Sequence, residues 1–255
     1  MNVAQTNLQL YGQLLELGAS PAEIAAARSG YELAAALFAG VYRASGKQFV
    51  AHVVGTASVL LQDGAAGPIV RAGLIHAAYA QGDFGDGQPG VTGPRRRRLC
   101  DAIGEEAEDL VFRYTTLPWR TGDLSGERGR LASLGSTERD VVRMRLANEV
   151  EELVDFGSIL QEDGEDRRAK AMASLPVWIE WAAALSADAI AAELVAKAVA
   201  LHDFRVPDGL RTDRVRSYRP GPALRPTAAA RARSAMLLVR AVGRKILRPG
   251  TAREA

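Results

Sequence analysis

Apolar residues recur every three to four positions along almost the whole chain, and no stretch alternates strictly in twos. That period lines up one face of an α-helix, so the pattern predicts an all-α fold. The opening MNVAQTNLQLYGQLLELG reads as a short amphipathic helix, its apolar residues interrupted by Gln and Glu. Ser20-Pro21-Ala22-Glu23 is a start signal: Ser20 caps, Pro21 suits the first helical position and Glu23 reaches back to the cap. The helix it opens is expected over residues 22–44, with Gly30 a weak point, until Gly46 breaks it. Another is predicted from Gln48 to Leu61, then a turn at QDGAAGP, and Pro68 opens the helix that carries His76.

Residues 82–94, GDFGDGQPGVTGP, have no periodicity and form a loop. Helices follow at RRRRLCDAI and EEAEDLVFRYTTL, then a loop around Trp119. A long helix is predicted over 137–160 behind a cap at Ser136, with two more over 165–185 and 187–203. From Pro207 the character changes to a Pro/Arg-rich stretch, RSYRPGPALRPT, and a final helix, AAARARSAMLLVRAVGRKILR. The predicted organisation is a helical domain over 1–205, a linker over 206–226, and a basic helix with its tail over 227–255. Leu238, Val239, Val242, Ile246 and Leu247 share one side of that last helix, and Arg240, Arg244, Lys245 and Arg248 the other. It suits docking on the domain with a solvated basic face, or lying on an anionic membrane surface or a partner.

With 255 residues and 47% hydrophobic side chains the chain can bury a full core. The net charge of +2 hides acidic residues clustered between 101 and 166 and basic ones dominant from Arg205 onward. Cys100 has no partner, which excludes an internal disulfide and a cysteine-based zinc site and fits a reducing cytoplasm. No apolar run approaches the ~18 residues of a membrane span, and the first residues lack the basic start of a signal peptide. Phosphate-binding glycine motifs, a nucleophile elbow and a nucleic-acid signature are likewise missing from the sequence.

Candidate chemistry rests on three histidines. His52 lies in GKQFVAHVVGTASVLL and His76 in AGLIHAAYAQGDF, on successive helices that can converge on one buried point. A lone histidine on such a face is ordinarily a hydrogen-bonded core residue; two together point to a site. His202 precedes Asp203 at a helix end, where an imidazole favours the helix dipole.

RASGKQFVAH, AGLIHAAYAQGDF, IGEEAEDLVFRYTTL and MRLANEVEEL follow the order and approximate spacing of motifs in the HD-domain superfamily. Over about residues 40–155 the chain most resembles the RelA/SpoT-type hydrolase domain, which implies an HD-like helical bundle. By that resemblance His52 and His76 match the first two ligand histidines, and Arg43, Ser45 and Gly46 match the loop that faces the nucleotide. The sequence departs from the pattern at Ala77, where the second histidine's aspartate belongs, at Ala80 and Gln81, where a Glu-Asp pair tied to water activation belongs, and at Asn148, the position of the last ligand aspartate. A hard divalent ion wants anionic oxygen ligands, and His52, His76 and Asn148 supply none, so a metal there is expected to be weak or absent. Zinc or iron accepts histidine more readily, with Asp83, Asp86, Glu149 or Glu152 as a replacement carboxylate.

An alanine after the second histidine and a tyrosine three residues on also resemble a group of uncharacterised bacterial HD-like proteins. That directs attention to Tyr79, one turn past His76, beside His52, His76 and Asn148, although core packing explains Tyr79 equally well. Arg95 and Arg96, in RRRR, together with Arg43, Ser45 and Lys47, are the candidate grip on a phosphate or carboxylate. The competing reading pairs the arginines with Glu105, Glu106, Glu108 and Asp109. The sequence therefore leads first to a degenerate HD-type domain that binds a small anionic, nucleotide- or phosphate-containing ligand without hydrolase chemistry. An active metal-dependent enzyme with a substitute carboxylate is the second reading, and a membrane-surface or partner-binding protein the third.

Overall fold

The structure is a computed structural model and describes residues 1–86, 90–116, 131 and 133–220. Its helices are α1 (Asn7–Glu16), α2 (Pro21–Leu37), α3 (Phe49–Gln62), α4 (Gly67–Ile75), α5 (Ala78–Gln81), α6 (Gly93–Ile103), α7 (Glu105–Thr116), α8 (Ser136–Glu152), α9 (Gly164–Ala184) and α10 (Asp188–Asp203). Among the described residues there is no strand, only isolated bridges from Tyr42 to Gln48 and to Tyr218. The fold is all-α.

Helix α3 is the centre. Its residues from His52 to Leu60 are all buried, and α1, α2, α4 and α8 pack around it. Being covered on every side, it reads as a nearly continuous apolar run with small residues where neighbours come close. Gly73 of α4 is one such place: a Cβ there would stand 2.7 Å from Leu60 Cδ1 and 3.2 Å from Ala57 Cα. A glycine lets the two helices meet almost backbone to backbone. The α9–α10 hairpin is fastened by Asp63, at the end of α3, which accepts from Arg143 Nε at 2.6 Å and from the α10 backbone at Ala189 (3.1 Å) and Ile190 (3.2 Å).

Three helices stop earlier than the sequence pattern predicts. Helix α2 ends at Leu37 and not at Ala44, because Gly40 adopts φ 67° and the Tyr42 backbone pairs with Tyr218, each N–H to the other's carbonyl at 2.7 Å. Helix α8 ends at Glu152 and not at Leu160: Asp155 Oδ1 accepts the Gly157 N–H at 2.9 Å and Phe156 turns left-handed, φ 52°. The helix of His76 ends at Ile75, so His76 is a C-cap before the short α5.

The described part of the expected linker is also tied down. Thr212 N–H donates to Leu160 O at 2.8 Å, and Arg219 reaches Ala39 O at 3.0 Å and Asp83 at 3.1 Å. The first compact unit therefore runs from Met1 to Arg219, beyond the boundary at 205 that composition suggests. The expected basic helix at 227–255, the loop around Trp119 and residues 87–89 of the glycine-rich loop lie outside the described residues. No helix among the described residues is long and apolar enough to cross a membrane.

The close α3–α4 approach gives a direct expectation. Gly73→Ala should lower the unfolding free energy in urea by about 1–3 kcal/mol through overpacking. Gly12→Ala, on a face of α1 with nothing within 4 Å, should leave it unchanged or raise it.

Candidate functional site

Glu151 sits on the core-facing stripe of α8, after Met144 and Ala147, and is 1% exposed. A carboxylate there must be paired. Its Oε1 accepts from Lys47 Nζ, in the loop before α3, and its Oε2 meets His52 Nδ1. Lys47 also lies 3.2 Å from Asp155. The Glu151 side chain runs across Gly55, where a Cβ would approach its Cγ to 2.6 Å. Burial pushes the Glu151 carboxyl up, and the Lys47 ammonium pulls against it.

Burial, with the positive charge of Arg43 next, holds the His52 imidazole down at about 3, so its ring is neutral. The one ring proton then sits on Nδ1 and is donated to Glu151, whose charge Lys47 balances. His76 reaches the same state by a different route. As the C-cap of α4 it donates Nδ1–H to the Gly73 carbonyl, one of the helix's last, at 2.8 Å. Burial, and then His52, hold it at about 3. The two rings stand edge to face with centroids 5.2 Å apart, and Tyr114 follows 5.0 Å from His76.

Both histidines line one cleft of about 290 Å³, together with Arg43, Phe49, Tyr114, Arg145 and Asn148. Ala77, Ala80 and Gln81 wall the side below α4, and Ser217 comes from the returning C-terminal segment. In each ring Nε2 has no hydrogen-bond partner among the described residues and is free to accept. Arg43 is ion-paired with Glu152, which also lines the cleft. Arg145 lies flat over Tyr114, 3.6 Å from the ring centroid, and donates to the Tyr114 carbonyl at 2.7 Å. It has no acidic partner among the described residues, and its Nε is buried without an acceptor. The cleft thus offers two neutral acceptors, an amide and one cation that makes no ion pair among the described residues, though its charge is felt by the Glu149 carboxyl one turn along α8.

The structure brings His52, His76, Asn148 and Arg43 together and places the other candidates elsewhere. The Tyr79 hydroxyl donates to buried Glu108 at 2.5 Å, which raises its pKa through burial and that bond, and its ring stacks on Phe84. Arg96 is Glu108's second partner, with Nε at 2.8 Å, and covers Phe112. Arg95 holds the loop before α6, with Nε 3.0 Å from Asp86 and Nη1 2.7 Å from Gly90 O. Ser45 packs where Gly157 passes, and Lys47 serves Glu151. None of these five lines the cleft. Of the substitute carboxylates, Asp83 pairs with Arg219 and Asp86 with Arg95; Glu149 and Glu152 face hollows of the site. His202 is exposed beside Asp203 at the end of α10.

Glu151, Tyr114 and Arg145 are functional candidates that the sequence reading missed. Glu151 had a signal, an acid on an apolar stripe of period 3.6. Residues 34–119 match a family model described only as a domain of unknown function, DUF6817. That span holds Arg43, Lys47, His52, His76 and Tyr114 but stops short of Arg145, Asn148 and Glu151. No curated protein matches the chain.

Two outcomes follow for stability. Lys47→Met leaves the buried Glu151 carboxylate with the His52 N–H but no paired cation, and should cost about 3 kcal/mol in urea unfolding. Each histidine is held below its ordinary 6.5, so between pH 6.5 and 3 the unfolded chain binds a proton that the folded one refuses. The stability each ring contributes is present above 6.5 and lost as pH falls through that window. Glu149, raised to about 7 by burial and then by Glu152, works in the opposite sense from pH 7 to 4.5. The difference between proteins isolates one ring. In chelator, wild type should lose about 1 kcal/mol more per pH unit than His76→Gln as pH is lowered from about 6 to about 5.

Proposed function

We propose that the cleft binds a small anionic, phosphate-containing ligand, and that the protein is a degenerate HD-type domain without that superfamily's standard phosphohydrolase chemistry. The observation that carries this reading is Arg145, a cation on the cleft wall that makes no ion pair among the described residues; Glu149, the acid that feels its charge, does not line the cleft. Arg43 is neutralised by Glu152, so Arg145 leaves the cleft with positive charge. The neutral Nε2 atoms of His52 and His76 suit a hydrogen phosphate, because its P–O–H donates to an acceptor while its charged oxygens take the guanidinium.

A metal fits these residues poorly. The donors are two neutral imidazoles, an amide and a carboxylate already paired with Arg43, and no group of three His, Cys, Asp or Glu suited to a metal ion occurs among the described residues. Without an anionic ligand set or a free carboxylate base, a water in the cleft is not activated for hydrolysis. The second reading, an enzyme with histidine-held zinc or iron, draws support from Glu152, which lines the same cleft as both histidines. Metal analysis of protein purified without chelator separates the two. A stoichiometric metal that disappears in the His52→Ala, His76→Ala double variant would overturn the degenerate reading.

Calorimetry with inorganic phosphate tests the binding itself. Arg145→Gln should weaken it about tenfold, the worth of a charge-assisted hydrogen bond. Glu152→Gln should strengthen it several-fold, on the order of one surface charge pair, by freeing Arg43 and removing a negative charge. Binding that ignores both substitutions, or no binding at all, contradicts the proposal.

A further inference from the structure

Three residues of the histidine cleft, Arg43, Asn148 and Glu152, also wall a second hollow of about 280 Å³. Its remaining lining comes from the end of α8, from Ser158 in the turn that follows, and from α9. Leu153, Ala171 and Trp178 supply an apolar wall, while Arg167 and Lys170 stand among them. Arg167 is held by Asp163 at 2.6 Å; Lys170 is exposed and has no acidic partner among the described residues. Glu149 lines this hollow and not the first. The two hollows are of similar size and share the Arg43–Glu152 ion pair as lining.

We infer that the two hollows form one site for an elongated ligand, an anionic head in the histidine cleft at Arg145 and a neutral aromatic body in the second hollow against Leu153, Ala171 and Trp178. The inference rests on the reading that the histidine cleft takes an anion. The apolar wall asks for apolar surface from the ligand. Cations beside it favour a π-face over an aliphatic chain. Two carboxyl groups, Glu149 and Glu152, line this hollow with the apolar wall, and they disfavour a second negative charge along the body. A ligand with one acidic end and a flat, uncharged remainder suits the cation of the first hollow and the apolar wall of the second.

Calorimetry on the full chain with two probes, inorganic phosphate and 1-naphthyl phosphate, tests this. The naphthyl ester should bind about tenfold or more tighter than phosphate, from apolar area buried less the cost of ordering it. Ala171→Trp, and independently Ala171→Phe, fill the second hollow. Each should abolish the gain while leaving inorganic phosphate within about twofold and the melting curve close to wild type. Arg145→Gln should weaken both probes. If the naphthyl ester binds no better than phosphate, or keeps its advantage in the filled variants, the two-hollow site is wrong and the anion cleft stands. If neither probe binds wild type, the inference and the reading beneath it fall together. If filling the second hollow, and not Arg145→Gln, abolishes phosphate binding, the head group has been placed at the wrong end and the inference is overturned.

Discussion

The buried chain of charge from Lys47 through Glu151 to His52 is the interaction on which the site depends. It joins the loop before α3 and α3 itself to the last turn of α8, about a hundred residues further along the chain. Removing a carboxylate from water is costly unless its lone pairs are met, and Glu151 meets one cation and one imidazole N–H. That pairing sets the His52 tautomer and ring orientation, as an outer carboxylate does for histidines in many functional sites. It also fixes where α8 stands relative to α3, and so where Asn148 and Glu152, on the same helix, reach the cleft.

The second histidine is positioned by packing. Gly73 lets α4 press onto Leu60 and Ala57, and the end of that helix presents the Gly73 carbonyl to His76 Nδ1. One ring is oriented by a carboxylate, the other by a helix terminus, and both keep Nε2 free. Around them Arg145 is held flat on Tyr114, ready to meet an anion with little further ordering. Neutral acceptors held beside a cation make a binding surface.

Much of the architecture was legible because helix periodicity and capping are local. Ser20 and Glu23 form the expected capping box, and α3 and α4 begin within a residue of the expected Gln48 and Pro68. The early end of α8 is a local turn, Asp155 to Gly157 with Phe156 left-handed, which the apolar period runs through. That of α2 was not legible because it depends on a partner distant in sequence, Tyr218 for the Tyr42 backbone. The same holds for the site. His52 and His76 stood out as residue types and Asn148 through the resemblance to HD-type domains, and the structure places all three on one cleft. Arg95 and Arg96 read as ligand contacts until the fold supplied Asp86 and Glu108 as their partners. Tyr79 shares a helical neighbourhood with His76, but its hydroxyl belongs to Glu108 because α5 follows a break at His76. Arg145 carried no signal in the sequence; the fold of α8 against Tyr114 places it on the cleft wall.

The central claim is that both imidazoles are neutral at neutral pH, protonated on Nδ1, with Nε2 as a free acceptor. The direct measurement is the nitrogen-15 spectrum of histidine-labelled protein, assigned with His52→Gln and His76→Gln. At pH 7 both rings should show the Nδ1–H tautomer, with an unprotonated Nε2, and neither should titrate as pH is lowered to about 5. Either ring appearing as the Nε2–H tautomer, or as imidazolium with a pKa near the ordinary histidine value of about 6.5, would contradict it.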